Sequence, residues 1–313
     1  MAQYFNGTFP ALLKRMDDHF DRARACFSQS SAPIEALILG GGYGRGEGGV
    51  YIENDQPSFY NDLDYFLFTP TPEDPELIKQ VHAFEKEESQ ALGIDVEVTC
   101  LHPSKLQGAE RSMMFHDLIM GHHMVLGTPD YLAEWKSKMD PALIAPIEAT
   151  RLLWNRGSGL FYARSKLDDA NAADFIFRQH MKLAISLGDA LLCMAGQHDA
   201  LCETRRERFS RLDVPLATEE IRDLHGIGVS FKQRPHPPPG GLDLSAQNEQ
   251  FRNLWTQVFL TVEAQRLGTH FNDAAAYSRY TGRLFPDDKP ARNILLALRD
   301  KVKRGHSLKP VTD

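Results

Sequence analysis

Hydrophobic spacing in the first hundred residues changes between the helical and the strand period. Apolar side chains recur at helical intervals over residues 9–28 and again over 75–92, where the opposite face is rich in Glu and Lys. Short apolar runs at 35–39, 62–68 and 94–100 instead fit strands, and the last of them alternates strictly between apolar and polar residues. The pattern therefore predicts a sheet with helices interspersed between its strands.

Beyond about residue 110 the strand pattern ends and helical spacing continues. We predict helices over 111–126, 129–139, 146–166, 172–197, 248–267 and near 289–303. The segment from His225 to Gly241 includes Pro-His-Pro-Pro-Pro-Gly-Gly and indicates a long loop. The expected fold class is thus α+β, with a mixed sheet flanked by helices in residues 1–145 and an all-helical domain in residues 146–313.

Composition restricts the number of domains and the kinds of binding partner. A chain of 313 residues suits two domains, and its net charge of −7 offers no overall basic surface for nucleic acid. The cysteines form no Cys-x-x-Cys pair, so we expect free thiols in a reducing compartment: Cys26, Cys100, Cys193 and Cys202. Without a secretory signal pattern or an apolar run of about 18 residues, we expect a cytoplasmic protein with no membrane partner.

A pair of carboxylates begins the second predicted strand. Asp62 and Asp64 are two residues apart, so both side chains project from one face of the strand. Two like charges this close repel unless a cation lies between them, and carboxylates together with substrate phosphates are usual ligands of Mg²⁺. The next strand offers Asp95 and Glu97, again on one face. Three or four carboxylates converge if the two strands pair.

A glycine-rich segment directly follows the first predicted strand. Residues 40–48 are Gly-Gly-Gly-Tyr-Gly-Arg-Gly-Glu-Gly, a composition that lets backbone N–H groups approach phosphate oxygens closely. A predicted helix start at this point adds the preference of helix N-termini for anions. Arg45 is expected to add a charge-assisted hydrogen bond to a phosphate. Phosphates held by this turn and metal ions held by the carboxylates would meet in one site.

Together these residues resemble the signature of the DNA polymerase β-like nucleotidyltransferase superfamily. Gly41 and Gly42 match its Gly-[Gly/Ser] pair, and Asp62 and Asp64 match its Asp-x-Asp metal ligands. The resemblance covers roughly residues 30–130. It implies a reaction that depends on two Mg²⁺ ions.

The resemblance also implies a third carboxylate on the strand that follows the intervening helix. That position falls on Asp95 or Glu97: Asp95 completes the predicted metal set, and Glu97 is its alternative. A sheet domain followed by helices is similar to the aminoglycoside-type nucleotidyltransferases and to glutamine-synthetase adenylyltransferase domains. This plan implies that residues 1–145 are catalytic and that residues 146–313 bind substrate and nucleotide.

One departure from the family lies between the turn and the carboxylates. Residues 43–61 separate Gly42 from Asp62, which is a longer gap than the family usually has. Within the extra length, residues 50–53 and 58–60 are predicted to form a small hairpin or flap beside the site. The insertion affects the expected substrate more than the expected chemistry.

The helix predicted over 172–197 carries a second stripe that is polar: Arg178, Lys182, Ser186 and Asp189. A solvated helix face explains this stripe without any function. The resemblance to these nucleotidyltransferases implies that such residues line the cleft. Lys182 is then a candidate for binding nucleotide phosphates, and Asp189 is a candidate for lying near the acceptor.

Other sites fit the sequence less well. A dinucleotide-binding fold needs a G-x-G-x-x-G spacing that the turn does not deliver cleanly, and a P-loop needs Gly-Lys-[Ser/Thr]. His116, His122 and His123 have no zinc-site spacing, so we expect packed helix histidines.

The expected activity is transfer of a nucleoside monophosphate, with AMP from ATP favoured over other nucleoside triphosphates, onto a hydroxyl. The acceptor stays open between a small molecule and a protein. Acidic balance disfavours nucleic acid, with a tRNA end as the one exception kept. Two alternatives remain: a non-catalytic nucleotide-sensing or partner-binding protein, and a toxin–antitoxin enzyme that acts on a protein or a tRNA.

Overall fold

The computed structural model describes residues 4–285. It confirms the α+β fold class, with a mixed sheet flanked by helices and a helical region after it. Within these residues the strands are β1 (Ala36–Leu39), β2 (Gly49–Glu53), β3 (Gln56–Tyr60), β4 (Asp62–Phe68), β5 (Asp95–Leu101) and β6 (His123–Gly127). The domain border near residue 145 stays a prediction.

The described helices are α1 (Pro10–Ser28), α2 (Gly41–Gly44), α3 (Pro75–Leu92), α4 (Met113–Met120), α5 (Ala133–Lys136), α6 (Ile147–Arg164), α7 (Ala173–Met194), α8 (Cys202–Arg211), α9 (Glu219–Gln233), α10 (Leu244–Leu267) and α11 (Ala274–Ser278). Those predicted over 9–28, 75–92, 146–166, 172–197 and 248–267 are confirmed to within a few residues. The helix expected near 289–303 lies outside the described residues.

The central sheet has the strand order β5-β4-β1-β6, with β1 antiparallel to both of its neighbours and β4 parallel to β5. Its two faces bury alternate residues of β1, as the strand period requires. Leu37 and Leu39 pack with α1 and α3 on one face, while Ala36 and Ile38 pack with α4 on the other. Strand β4, which begins at Asp62, lies between β5 and β1 and is therefore a central strand of the sheet.

The strands β2 and β3 form a separate antiparallel hairpin. This confirms the hairpin predicted in the long spacer between the glycine-rich turn and the paired carboxylates. The hydroxyl of Tyr43, at the turn, donates a hydrogen bond of 2.6 Å to the carbonyl of Gly49. The hairpin is thereby attached to the turn.

Helices α6 to α10 surround a second hydrophobic core. Helix α7 is its centre and packs against α6, α8, α9 and α10. Most of its side chains from Ile176 to Cys193 are buried. A polar side chain on such a buried helix has little access to solvent unless it borders a cavity.

The helix predicted over 111–126 is too long, since α4 ends at Met120 and residues 123–127 form β6. Gly121 adopts an extended conformation that ends the helix, and His122 Nδ1 lies 2.9 Å from the Leu118 carbonyl oxygen at that end. Strand β6 pairs with the edge of β1 that β4 leaves free. His123 is therefore a strand residue rather than a helix residue, and the expectation that no strand follows residue 110 was wrong.

The long loop expected from His225 to Gly241 is confirmed only after Gln233, because α9 continues to that residue. Gly226 and Gly228 lie within the helix. At Gly228, a methyl group would lie 2.8 Å from Ile185 Cγ1, so glycine lets α9 approach α7 closely. Helix α8 was not predicted, and the helix expected over 129–139 is reduced to α5.

Within residues 4–285, no helix is both long and apolar enough to cross a membrane. The four cysteines are free, as expected, with Cys193 and Cys202 fully buried.

Candidate active site

The paired carboxylates and the third strand meet as the sequence predicts. Strands β4 and β5 pair in parallel, with Asp62 opposite Asp95 and Asp64 opposite Glu97. Four carboxylates therefore stand in two adjacent rows at one end of the sheet. Asp62 and Asp64 are half-buried, whereas Asp95 and Glu97 are exposed.

Electrostatics separate the two candidates for the third carboxylate. Burial raises the pKa of Asp64 to about 6, and the charges of Asp62 and Glu97 add to this effect. Arg45 and Lys182 act in the opposite direction. Since Glu97 is both the strand neighbour of Asp64 and a charge that acts on it, the geometry favours Glu97 over Asp95.

The glycine-rich turn forms the floor under Asp64. Gly41 has a φ of +58°, and a methyl group at this position would overlap Asp64 Oδ2. The N–H of Gly40 donates to the backbone carbonyl of Asp64 at 2.8 Å. Only glycine fits between the turn and the carboxylate without displacing it.

The turn uses most of its own amides. The N–H groups of residues 44–47 donate to carbonyls within the turn, and that of Gly48 donates to Tyr4. Because the first N–H groups of a helix have no intrahelical partner, those of Gly41, Gly42 and Tyr43 are the ones left for a ligand. These include the amides of Gly41 and Gly42, whose contact with phosphates stays a prediction.

Arg45 lies in the wall of the site and faces acidic groups rather than open solvent. Its Nη1 is 3.7 Å from Asp117 Oδ2, and its Nε is 3.9 Å from Glu47 Oε2. Glu47 in turn accepts a 2.8 Å hydrogen bond from the backbone N–H of Cys202 at the start of α8. Glu47 therefore joins the turn to the helical region, and the contact of Arg45 with a phosphate stays a prediction.

A cavity of about 380 Å³ lies between the turn, the start of β4 and the helical region. Asp62 and Asp64 line one wall. The opposite wall contains the polar stripe of α7, with Arg178, Lys182, Ser186 and Asp189 all lining the cavity. The stripe is therefore a cleft face and not a solvated one.

Cations dominate that opposite wall. Arg156 of α6 joins Arg178 and Lys182 there. Burial lowers the pKa of the Arg156 guanidinium, and burial together with the Arg156 charge lowers the pKa of Lys182. Within residues 4–285, the Nε atoms of Arg156 and Arg178 are buried without a hydrogen-bond partner. The carboxylate of Asp62 acts favourably on Arg156 and Lys182, and an anionic ligand that accepted hydrogen bonds from the two buried Nε atoms would stabilise this wall further.

Asp189 is committed to a different interaction. Its Oδ1 lies 2.8 Å from Arg205 Nε and 3.0 Å from His225 Nε2. Although burial alone would raise the pKa of Asp189, Arg205 and His225 hold it below its ordinary value. The carboxylate thus neutralises a buried guanidinium, which argues against the expected role beside the acceptor.

Sequence patterns missed Arg156, Asp117, His198 and Lys232, which also line the cavity. Arg156 lies on a helix that was predicted, but helical spacing alone does not show which polar residue faces a neighbouring unit. His198 lies in a short loop after α7 with no pattern of its own.

No protein-family model matches the chain, and no curated protein matches it significantly. Among solved structures, the chain is similar to the crystal structure of a nucleotidyltransferase-like protein from Exiguobacterium sibiricum 255-15. The two share 9% sequence identity with a TM-score of 0.34, over 93% of this chain and 92% of the other. A TM-score this low does not establish a common fold.

Proposed function

We propose that this protein is a nucleotidyltransferase, which moves a nucleoside monophosphate from a nucleoside triphosphate onto a hydroxyl. One observation carries the proposal: a single cavity has Asp62 and Asp64 on one wall and Arg156, Arg178 and Lys182 on the other. Carboxylates suit divalent cations and buried cations suit phosphates. The two walls together match the two charged parts of a metal–triphosphate complex.

The donors are of the type that a hard divalent cation prefers, although within residues 4–285 no three carboxylates of this site bring their oxygens within 4.8 Å of one another. Asp62, Asp64 and Glu97 offer carboxylate oxygens; burial is the main cause of the raised pKa of Asp64, and the charges of Asp62 and Glu97 add to it. Mg²⁺ bound there would neutralise phosphate charge and lower the pKa of the acceptor hydroxyl. Asp95, opposite Asp62, is the alternative third ligand that the sequence also allows.

The cationic wall has the task of holding the triphosphate. Lys182, Arg156 and Arg178 come from α6 and α7, two helices that pack against each other, so the backbone positions of all three residues are set by the fold. Cations placed in this way also stabilise the pyrophosphate that leaves. The free amides of Gly41 and Gly42 add hydrogen-bond donors on the side of the carboxylates.

Apolar surface is also available for a nucleobase. Tyr60 and Phe231 both line the cavity, with their rings edge to face at 6.1 Å between centroids. Aromatic faces stack on any base, so this surface does not select one base. We take ATP as the donor and Mg²⁺ as the cation to be tested first.

Calorimetric titration with ATP separates this proposal from a nucleotide sensor that does no chemistry. We expect wild-type protein to bind ATP more tightly with Mg²⁺ than without it, and Lys182→Ala to bind more weakly in both conditions. Lys14→Ala is the matched control, since Lys14 is an exposed lysine that pairs with Asp18 on α1. Binding that ignores Mg²⁺ and survives Lys182→Ala would contradict the proposal.

A further inference from the structure

A second cluster of potential ligands lies in the wall of the cavity, away from the paired carboxylates. It consists of His116 and Asp117 from α4 and His198 from the loop between α7 and α8. His198 Nε2 lies 2.8 Å from Asp117 Oδ1, and His116 Nδ1 lies 3.7 Å from the same oxygen. Within residues 4–285, one donor atom of each residue falls within 4.8 Å of the other two.

The histidines in this cluster are buried and incompletely hydrogen-bonded. His116 is 3% exposed and His198 is 1% exposed. In the described part of the chain, the Nδ1 atoms of both rings lack a hydrogen-bond partner. A buried polar nitrogen without a partner costs roughly 1–3 kcal/mol. An ion among the three residues would complete His116 Nδ1, whereas His198 presents Nε2 to Asp117 and its Nδ1 lies on the other side of the ring.

We propose that His116, Asp117 and His198 bind a divalent transition-metal ion of the zinc type. Two imidazoles and one carboxylate are a common ligand set for Zn²⁺, whereas Mg²⁺ prefers oxygen ligands throughout. Zn–N bonds of about 2.0–2.1 Å in a tetrahedron place two ligand atoms roughly 3.3 Å apart. The ion therefore requires shifts of about half an ångström, with His116 moving in and His198 moving away from Asp117.

Arg45 leaves the required oxygen free. Its Nη1 faces Asp117 Oδ2 at 3.7 Å, while both histidines face Oδ1. A metal ligand is usually held by such an outer partner, which orients the carboxylate. The guanidinium and the ion would thus use different oxygens of the same carboxylate.

An ion bound by this cluster would affect both the cavity and the stability of the fold. Asp117 and His198 line the cavity, so a bound ion would lie at the border of the space that a substrate would occupy. His198 also belongs to the helical region, whereas α4 packs on the sheet. A bound ion would connect the two parts and raise the temperature of unfolding.

Cobalt titration of the full-length protein tests the site without any assay of activity. Asp64→Asn is used as the background, so that the paired carboxylates contribute little binding. We expect one Co²⁺ per chain with the strong visible absorption of a four-coordinate nitrogen-containing site, and displacement of Co²⁺ by Zn²⁺ but not by Mg²⁺. Thermal unfolding should shift upward by several degrees with equimolar Zn²⁺.

Further variants identify the ligands. His198→Ala and Asp117→Asn should each remove the absorption and the thermal shift, and Asp117→Asn keeps the side-chain volume if the alanine variant does not fold. His82→Ala is the matched control, because His82 Nδ1 lies 3.0 Å from Glu85 Oε2 on the exposed surface of α3 and lacks a second histidine. Absence of the absorption in the Asp64→Asn background, or its persistence in folded Asp117→Asn, would overturn the site.

Discussion

The carboxylate of Asp64 lies against Gly41, which is the first residue of the short helix α2. Gly41 has a positive φ, and any side chain there would overlap Asp64 Oδ2. A residue of the glycine-rich turn and a residue of the carboxylate pair are therefore fitted to each other. The two sequence features form one site because of this contact.

Gly41→Ala should disable the site more than it destabilises the fold. A non-glycine residue with positive φ costs roughly 1–2 kcal/mol, and the new methyl group must also displace the Asp64 carboxylate. We expect nucleotidyl transfer to fall at least a hundredfold, measured in a stopped assay of pyrophosphate release. Gly108→Ala is the control: its φ is +78°, but no described atom lies within 4 Å of the added methyl group. Equal activity losses in the two variants would point to backbone strain alone.

Asp64 should make the metal-free protein less stable as the pH rises. Its folded-state pKa of about 6 lies above the ordinary value of 3.8, so the folded chain holds this proton more tightly than the unfolded chain does. The free energy of unfolding should therefore fall between about pH 4 and pH 6. Asp64→Asn should remove this slope and stabilise the metal-free protein above pH 6 by up to about 3 kcal/mol. Urea unfolding at several pH values, with a chelator present, measures both effects; an unchanged slope in the variant would exclude Asp64 as its source.

Arg156→Ala should weaken nucleotide binding even though no sequence pattern singled out Arg156. Loss of one charge-assisted hydrogen bond to a phosphate costs roughly 1.5–3 kcal/mol, which corresponds to about a tenfold to hundredfold rise in the Kd for ATP. Because Arg156 carries a buried Nε without a described partner, its removal should leave the unfolding midpoint nearly unchanged. A titration by calorimetry and an unfolding curve distinguish the two effects, and an unaltered Kd would remove Arg156 from the phosphate wall.

Asp189→Asn should be mainly a stability variant. It leaves the buried Arg205 guanidinium without its carboxylate partner, at a cost of about 3–5 kcal/mol. Asp18→Asn, which breaks an exposed pair with Lys14, should cost less than about 1 kcal/mol. Denaturant unfolding of both variants makes the comparison. Near-normal stability together with lost transfer in Asp189→Asn would instead restore the role near the acceptor.

The sheet half of the fold was predictable because strand period and turn chemistry are local. The pattern showed that each of the two strands carries two carboxylates on one face, whereas the pairing of the strands and the register of Asp64 with Glu97 come from the structure. β6 was missed, since its pairing depends on the free edge of β1, which no local pattern contains. Helix α9 was missed although it contains Gly228, where the lack of a side chain allows close packing on α7, a contact that no local pattern shows.

The site was predictable only where its residues lie in a motif. Asp62, Asp64 and the glycine-rich turn are close in sequence, so their chemistry was visible. Arg156 and His198 come from different elements of the helical region, and only the packing of that region against the sheet brings them to the cavity. The polar stripe with Lys182 is an intermediate case. Helical spacing showed that these residues share one face, but it did not show that this face borders the cavity beside the paired carboxylates.

Transfer of label from α-labelled ATP measures nucleotidyl transfer itself. Purified protein is incubated with α-labelled ATP, Mg²⁺ and a cell extract as the source of acceptor, and pyrophosphate release is followed with the appearance of labelled product. We expect both signals for the wild-type protein with Mg²⁺, and their loss with a chelator and in Asp64→Asn. Labelled product formed equally well by Asp64→Asn, or ATP bound with no transfer to any acceptor in the extract, would contradict the proposed function.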